Sequence, residues 1–168
     1  MKESKLSTAY IAVGSNLGDK RQNCARGIEA LDQTREITVT ARAGFYKTAP
    51  VDYTAQDWFV NTAVRLDTSL EPVDLLARLK QIERDVGREK GGIRFGPRVL
   101  DLDIIFFDDL VLRTEVLDVP HPRMHKRRFV LRPICDIDPS AVHPTLKVPV
   151  KALLEAIDDP DQDIELLR

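Results

Sequence analysis

Two hydrophobic periods alternate between residues 9 and 107, and their order predicts most of the architecture. A short apolar run at 9–13 ends in the glycine-bounded turn Gly14-Ser15-Asn16-Leu17-Gly18-Asp19, after which Cys24, Ile28 and Leu31 recur at helical spacing. Asp19 is placed to cap that helix. Ile37, Val39, Ala41, Ala43 and Phe45 then alternate with polar or small residues, the period of a half-buried strand that Pro50 ends. After a polar loop at 51–57, alternation returns over 58–66, with Val60, Val64 and Leu66 on one face and Phe59 and Asn61 on the other. Pro72 opens a helix whose apolar stripe is Leu75, Leu79, Ile82 and Val86 and whose stop is Gly87. Residues 88–98 have no apolar period and read as a mobile basic loop. Residues 100–107 are almost continuously apolar, as in a central strand, except for Asp101 and Asp103.

The order βαββαβ predicts an α+β, ferredoxin-like core, an antiparallel sheet with two helices packed on one face. Beyond it we expect a hairpin over 110–119, a helix starting near Lys126 and running through Phe129 and Leu131, another over 150–157, and a solvated acidic tail from Asp158. No repeat or linker divides the chain, so one domain over 1–168 is expected, with its core at about 8–157.

Composition narrows the function classes. With 43% hydrophobic and 31% charged residues the chain is neither disordered nor membrane-embedded, and a net charge of -2 argues against a general nucleic-acid binder. Residues 1–8 lack the apolar run of a signal peptide or anchor, which makes a cytoplasmic location the expectation. Cys24 and Cys135 have no neighbouring cysteine and read as buried, reduced thiols.

The chemistry centres on Asp101 and Asp103. Two apart on a strand, both carboxylates point to one face; at ~5 Å and an effective dielectric near ~20 they repel by roughly 3 kcal/mol. One aspartate capping the strand while the other pairs with Arg98 is the ordinary structural explanation. The alternative is magnesium, which uses few protein carboxylates and shares its shell with water and phosphates. Arg88, Lys90, Arg94 and Arg98 precede the pair, and His121, Arg123, His125, Lys126, Arg127 and Arg128 follow Pro120, enough cations for a polyphosphate. Zinc is disfavoured, because His121 and His125 have no cysteine or third ligand at suitable spacing. The turn at 14–20 lacks the Gly-Lys-Ser/Thr ending of a P-loop. Phe59 and Asn61 present an aromatic plane beside a forked amide, which suits a flat heterocycle but is equally ordinary packing beside a satisfied amide.

The run Arg94-Phe95-Gly96-Pro97-Arg98-Val99-Leu100-Asp101-Leu102-Asp103-Ile104-Ile105 resembles the signature of the 6-hydroxymethyl-7,8-dihydropterin pyrophosphokinases. The likeness extends to Tyr10-Ile11-Ala12-Val13-Gly14-Ser15-Asn16-Leu17-Gly18, Phe45-Tyr46-Lys47-Thr48-Ala49-Pro50 and Val119-Pro120-His121-Pro122-Arg123-Met124. It implies a folate-pathway enzyme in which the pterin hydroxymethyl oxygen attacks the β-phosphorus of ATP and AMP leaves. By that resemblance Asp101 and Asp103 hold two Mg²⁺ ions, and Arg88 and Arg98 steady the developing charge. Lys90, His121 and Arg127 bind phosphates, and Glu83 and Ile104 place the nucleotide. Thr48, Pro50, Val51, Asn61, Phe95 and Asp101 contact the pterin, which Phe59 and Phe129 sandwich. Phe59, Phe95 and Val116 stand where members often have tyrosine, tryptophan and, in some, arginine. ATP and a reduced pterin are then the expected partners, with no nucleic acid, no membrane and a monomeric protein. The competing readings are another magnesium-dependent nucleotidyl or phosphoryl transferase, and an RNA-binding ferredoxin-like module.

Overall fold

The computed structural model describes residues 5–51, 54–87 and 98–168. Arg88, Lys90, Arg94 and Phe95, in the predicted basic loop, lie outside the described residues. Along the chain come β1 (Ser7–Ser15), α1 (Lys20–Asp32), β2 (Ile37–Arg42), β3 (Tyr46–Thr48), β4 (Phe59–Thr68), α2 (Pro72–Val86) and β5 (Asp101–Phe107). The hairpin β6 (Leu112–Arg113) and β7 (Asp118–Val119), α3 (Arg128–Ile137), α4 (Val150–Glu155) and β8 (Ile164–Leu166) follow. The main sheet runs β5-β1-β4-β3-β8, with β2 also against β4, and its pairings are antiparallel. The fold is α+β and ferredoxin-like, as expected, with additions at the C-terminal end.

Local chemistry accounts for the elements. The Asp19 carboxylate accepts the Gln22 N–H at 3.2 Å and caps α1. Pro72 starts α2, whose Leu75, Leu79 and Ile82 are buried, and Gly87 ends it in the left-handed region at φ 118°. The alternation at 37–45 is not one strand. It breaks after Arg42, and β2 and β3 pair with different halves of β4. Gly44 lies at the break, where a Cβ would come within 2.9 Å of Leu166.

Alternation divides the sheet into two faces. Ile11 and Val13 of β1, Val64 and Leu66 of β4, and Leu102 and Ile104 of β5 pack in one core with α1 and α2 residues. Tyr10, Ala63, Ile105 and Phe106 form a second core with Val130, Leu131 and Ile134 of α3 and Val150 and Leu153 of α4. A register shift opposite Tyr10 and Ile11 puts the consecutive Ile105 and Phe106 in that same second core. Burial on both faces explains the near-continuous apolar run of β5.

Three further expectations need correction. α3 begins at Arg128, after a short 3-10 turn at Met124–Lys126, rather than at Lys126. Cys24 is buried, and burial pushes its thiol up to about 12, but Cys135 is only half-buried. The acidic tail is not merely solvated. β8 pairs with β3, because residues 43–49 leave a sheet edge whose backbone groups require partners. Among the described residues no helix is long and apolar enough to cross a membrane.

Candidate active site

Register builds the floor of the main cleft. Gly14 of β1 lies opposite both Asn61 of β4 and Asp101 of β5; one step further in, Ala12 lies opposite Ala63 and Asp103. A row of Asn61, Gly14 and Asp101 thus crosses three strands on the face turned away from α1 and α2. A Cβ at Gly14 would sit 2.6 Å from Asn61 Oδ1, so any larger residue would displace the Asn61 amide. The small side chains leave a cleft of about 370 Å³. Thr48, Val51, Phe59 and Asn61 form one wall, Lys80, Arg98, Asp101 and Asp103 the opposite one, and His121, Arg127 and Phe129 its rim.

Supporting contacts hold these groups in place. Asn61 Nδ2 donates to Thr48 Oγ1 at 2.7 Å, which fixes the amide and leaves its oxygen against Gly14. The buried Asn16 accepts the Arg98 N–H through Oδ1 at 2.7 Å and donates its own N–H to the Arg98 carbonyl at 3.0 Å, anchoring the chain where it enters β5. Glu83, 1% exposed, accepts the N–H of Leu102 at 3.0 Å, the peptide between the two aspartates, and Lys80 Nζ at 3.4 Å. His121 donates its backbone N–H to Ile105 O at 3.1 Å, and its Nδ1 accepts the Arg123 N–H at 3.2 Å. In a neutral imidazole that acceptor assignment leaves Nε2 as the donor. The Arg127 guanidinium lies 5.5 Å from the Phe129 ring centroid.

The electrostatics oppose one another across the cleft. Burial, followed by the Asp101 charge, pushes the Asp103 carboxyl up to about 7; Glu83 adds to the rise and Lys80 and Arg127 resist it. Burial, followed by the charges of Arg127 and Arg123, pushes His121 down to about 4. Added positive charge beside the pair therefore favours the ionised form of Asp103. Two hard oxygen donors beside cationic side chains fit a hard divalent ion that shares its coordination with phosphates. Among the described residues no group of three or more His, Cys, Asp or Glu forms a self-sufficient cage.

Residues 10–139 match the family 7,8-dihydro-6-hydroxymethylpterin-pyrophosphokinase (HPPK). The chain belongs to the HPPK family. It is 46% identical over 129 residues to the 2-amino-4-hydroxy-6-hydroxymethyldihydropteridine pyrophosphokinase of Bacillus subtilis, covering 77% of each protein. The Aquifex aeolicus protein of the same name is 36% identical over 146 residues, 87% of this chain and 89% of that one. The Dictyostelium discoideum folic acid synthesis protein FOL1 is 44% identical over 139 residues, but the match spans 83% of this chain and only 21% of that longer protein. Among solved structures, Plasmodium falciparum HPPK-DHPS with pteroate superposes with a TM-score of 0.74 at 14% identity, over 92% of this chain and 43% of that one, a likeness of fold.

Of the HPPK residues expected from sequence, Thr48, Val51, Phe59, Asn61, Arg98, Asp101, Asp103, His121, Arg127 and Phe129 line one cleft. Glu83 and Ile104 do not line it. Glu83 is buried beneath β5, bonded to the Leu102 backbone, and the Ile104 side chain is in the core of the helix-covered face. Pro50 borders the cleft segment without lining it, and Val116 is 67% exposed near the tip of the β6-β7 hairpin. Arg88, Lys90 and Phe95 fall outside the described residues. Arg123, one of the cations expected after Pro120, also lines the cleft, whereas Gly14, Lys80 and the supporting Asn16 are site residues that the sequence reading does not single out. Gly14 was read only as a turn; its role depends on the register of two neighbouring strands. Lys80 precedes Glu83 by three on α2, a helical pairing that was legible but reads as an ordinary surface ion pair.

Proposed function

We propose that this chain is a pyrophosphokinase that transfers the β,γ-pyrophosphoryl group of ATP to the hydroxymethyl oxygen of 6-hydroxymethyl-7,8-dihydropterin and releases AMP. The observation that carries this reading is the juxtaposition across Gly14. A carboxylate pair with nearby cations occupies one side of a single cleft, and an aromatic plane with an oriented amide occupies the other. Asp101 and Asp103 hold Mg²⁺, which when bound neutralises the triphosphate and acidifies the attacking hydroxyl. Arg98, His121 and Arg127 bind the phosphates, with His121 a neutral donor through Nε2. Asn61, steadied by Thr48, hydrogen-bonds the pterin edge, while Phe59 and Phe129 stack on its faces. These groups supply positioning and preorganised charge rather than a strong base. Arg88, Lys90 and Phe95 complete the site, and the chain acts as one domain and as a cytoplasmic monomer, with ATP and the reduced pterin as partners and neither nucleic acid nor membrane involved.

The test incubates the protein with ATP, Mg²⁺ and the hydroxymethyl dihydropterin. AMP and the pterin diphosphate are expected in equal amounts. ADP with a pterin monophosphate, or an acceptor other than the pterin, would assign the cleft to a different transferase.

A further inference from the structure

The C-terminal segment lies beyond the stretch matched to the family, residues 10–139, and it touches both sides of the pterin end of the cleft. At one end it is a strand. β8 pairs Ile164 with Thr48 and Leu166 with Tyr46, and next to this ladder Ala49 donates its N–H to Asp163 O at 3.0 Å. Thr48 in turn accepts the Asn61 amide, so the backbone that carries this wall is a strand with β4 on one side and β8 on the other.

At its other end the segment is clamped to the start of α3. The Arg128 guanidinium donates to the carbonyls of Gln162 at 2.6 Å, Asp159 at 3.2 Å and Ile157 at 3.2 Å. Gln162 returns the contact from its side chain: Oε1 accepts the Arg128 N–H at 2.8 Å, and Nε2 donates to Lys126 O at 2.9 Å. Between and beside these anchored peptides are Arg127 and Phe129, which with Val130 bring the start of α3 to the cleft. A guanidinium that satisfies three carbonyls between 157 and 162, and an amide that satisfies two peptides of another segment, join the pieces through backbone groups, beside the packing of Ile157 and Leu167 on the two cores.

We propose that residues 157–167 are a strap that sets the width of the pterin slot, with Arg128 and Gln162 as positioning residues that act through Phe129 and Thr48. The proposal rests on the pyrophosphokinase reading for the identity of the ligand. Stacking on two faces depends on their separation, so a rim that drifts outward loses pterin contact, while the nucleotide end loses at most the Arg127 contact and keeps Arg98, Asp101, Asp103 and His121. Neither Arg128 nor Gln162 lines the cleft, so the strap is separate from the binding machinery.

The test compares wild type with Arg128→Ala, Arg128→Lys and Gln162→Ala in the full-length chain, measuring pterin KM, the Kd of a non-hydrolysable ATP analogue with Mg²⁺, and Tm. Arg128→Ala and Gln162→Ala should raise pterin KM by roughly tenfold with nucleotide Kd within about twofold, and Arg128→Lys should recover part of the loss. Gln162→Ala keeps the guanidinium clamp and serves if Arg128→Ala does not fold. Unchanged pterin KM in a folded Gln162→Ala protein overturns the strap, as does parallel weakening of pterin and nucleotide that follows Tm. Wild-type protein with no pterin turnover overturns the pyrophosphokinase reading and the strap with it, whereas wild-type turnover with unresponsive variants overturns the strap alone.

Discussion

Replacing Asp103 by Asn should stabilise the protein in the absence of divalent metal and nucleotide while removing its activity. The carboxyl rises from an ordinary 3.8 to about 7, so the folded state retains a proton that the unfolded chain has lost. A rise of that size corresponds to a stability difference on the order of a few kcal/mol, lowered because the side chain retains some solvent contact at the cleft floor. The sign follows from proton linkage. At pH 4 the folded carboxyl is protonated and the unfolded one is already about half ionised, so wild type and Asp103→Asn should differ by less than about 1 kcal/mol, a gap that closes at lower pH. As pH rises from about 4 to 7, wild-type stability falls, because only the unfolded chain has released its proton, and above about pH 8 both states are ionised and the gap is constant. Urea unfolding of both proteins at pH 4 and pH 8, in chelator, measures the gap directly. His121 titrates in the same window but identically in both proteins, so the difference isolates Asp103. Added Mg²⁺ with an ATP analogue should raise the wild-type Tm and leave the variant's unchanged. A gap of equal size at both pH values, or a variant less stable than wild type at pH 8, refutes the account of a buried carboxylate pair held in readiness for a cation.

His121 works in the opposite direction: its folded value is pushed down from 6.5 to about 4, so its contribution to stability, present above pH 6.5, should fade as pH drops towards 4, and His121→Gln should flatten that part of the acid limb in urea titrations. A limb unchanged by the substitution argues that the ring is solvated. Gly14→Ala drives a methyl against Asn61 Oδ1 and should cost about 1 to 3 kcal/mol while weakening pterin binding more than nucleotide binding; equal loss of both ligands argues that Asn61 does not face the pterin.

The periods of hydrophobic residues were sufficient for α1, α2, β4 and β5, because each buries a regular face and the 3.6- and 2-residue repeats record which face. The two aspartates were legible for the same reason, since charge in an apolar strand stands out against its neighbours. The motif flanking them carried the identity of the family, which period and composition alone do not reach. Tertiary structure decided what depends on pairing between distant segments. The break between β2 and β3 follows from two strands sharing β4, the site role of Gly14 from its position between Asn61 and Asp101, and the anchoring of Arg98 from Asn16. Glu83 and Ile104 show the same limit, since the motif does not say where their side chains lie, whereas helix packing buries one beneath β5 and strand alternation turns the other into the core. The tail is the strongest case. Residues 158–168 are acidic and without a strong period, so they read as solvated; backbone hydrogen bonds to an open sheet edge, the Arg128 guanidinium and the Gln162 amide order them beside the core contact of Leu167, and such polar contacts leave no hydrophobic pattern in a sequence.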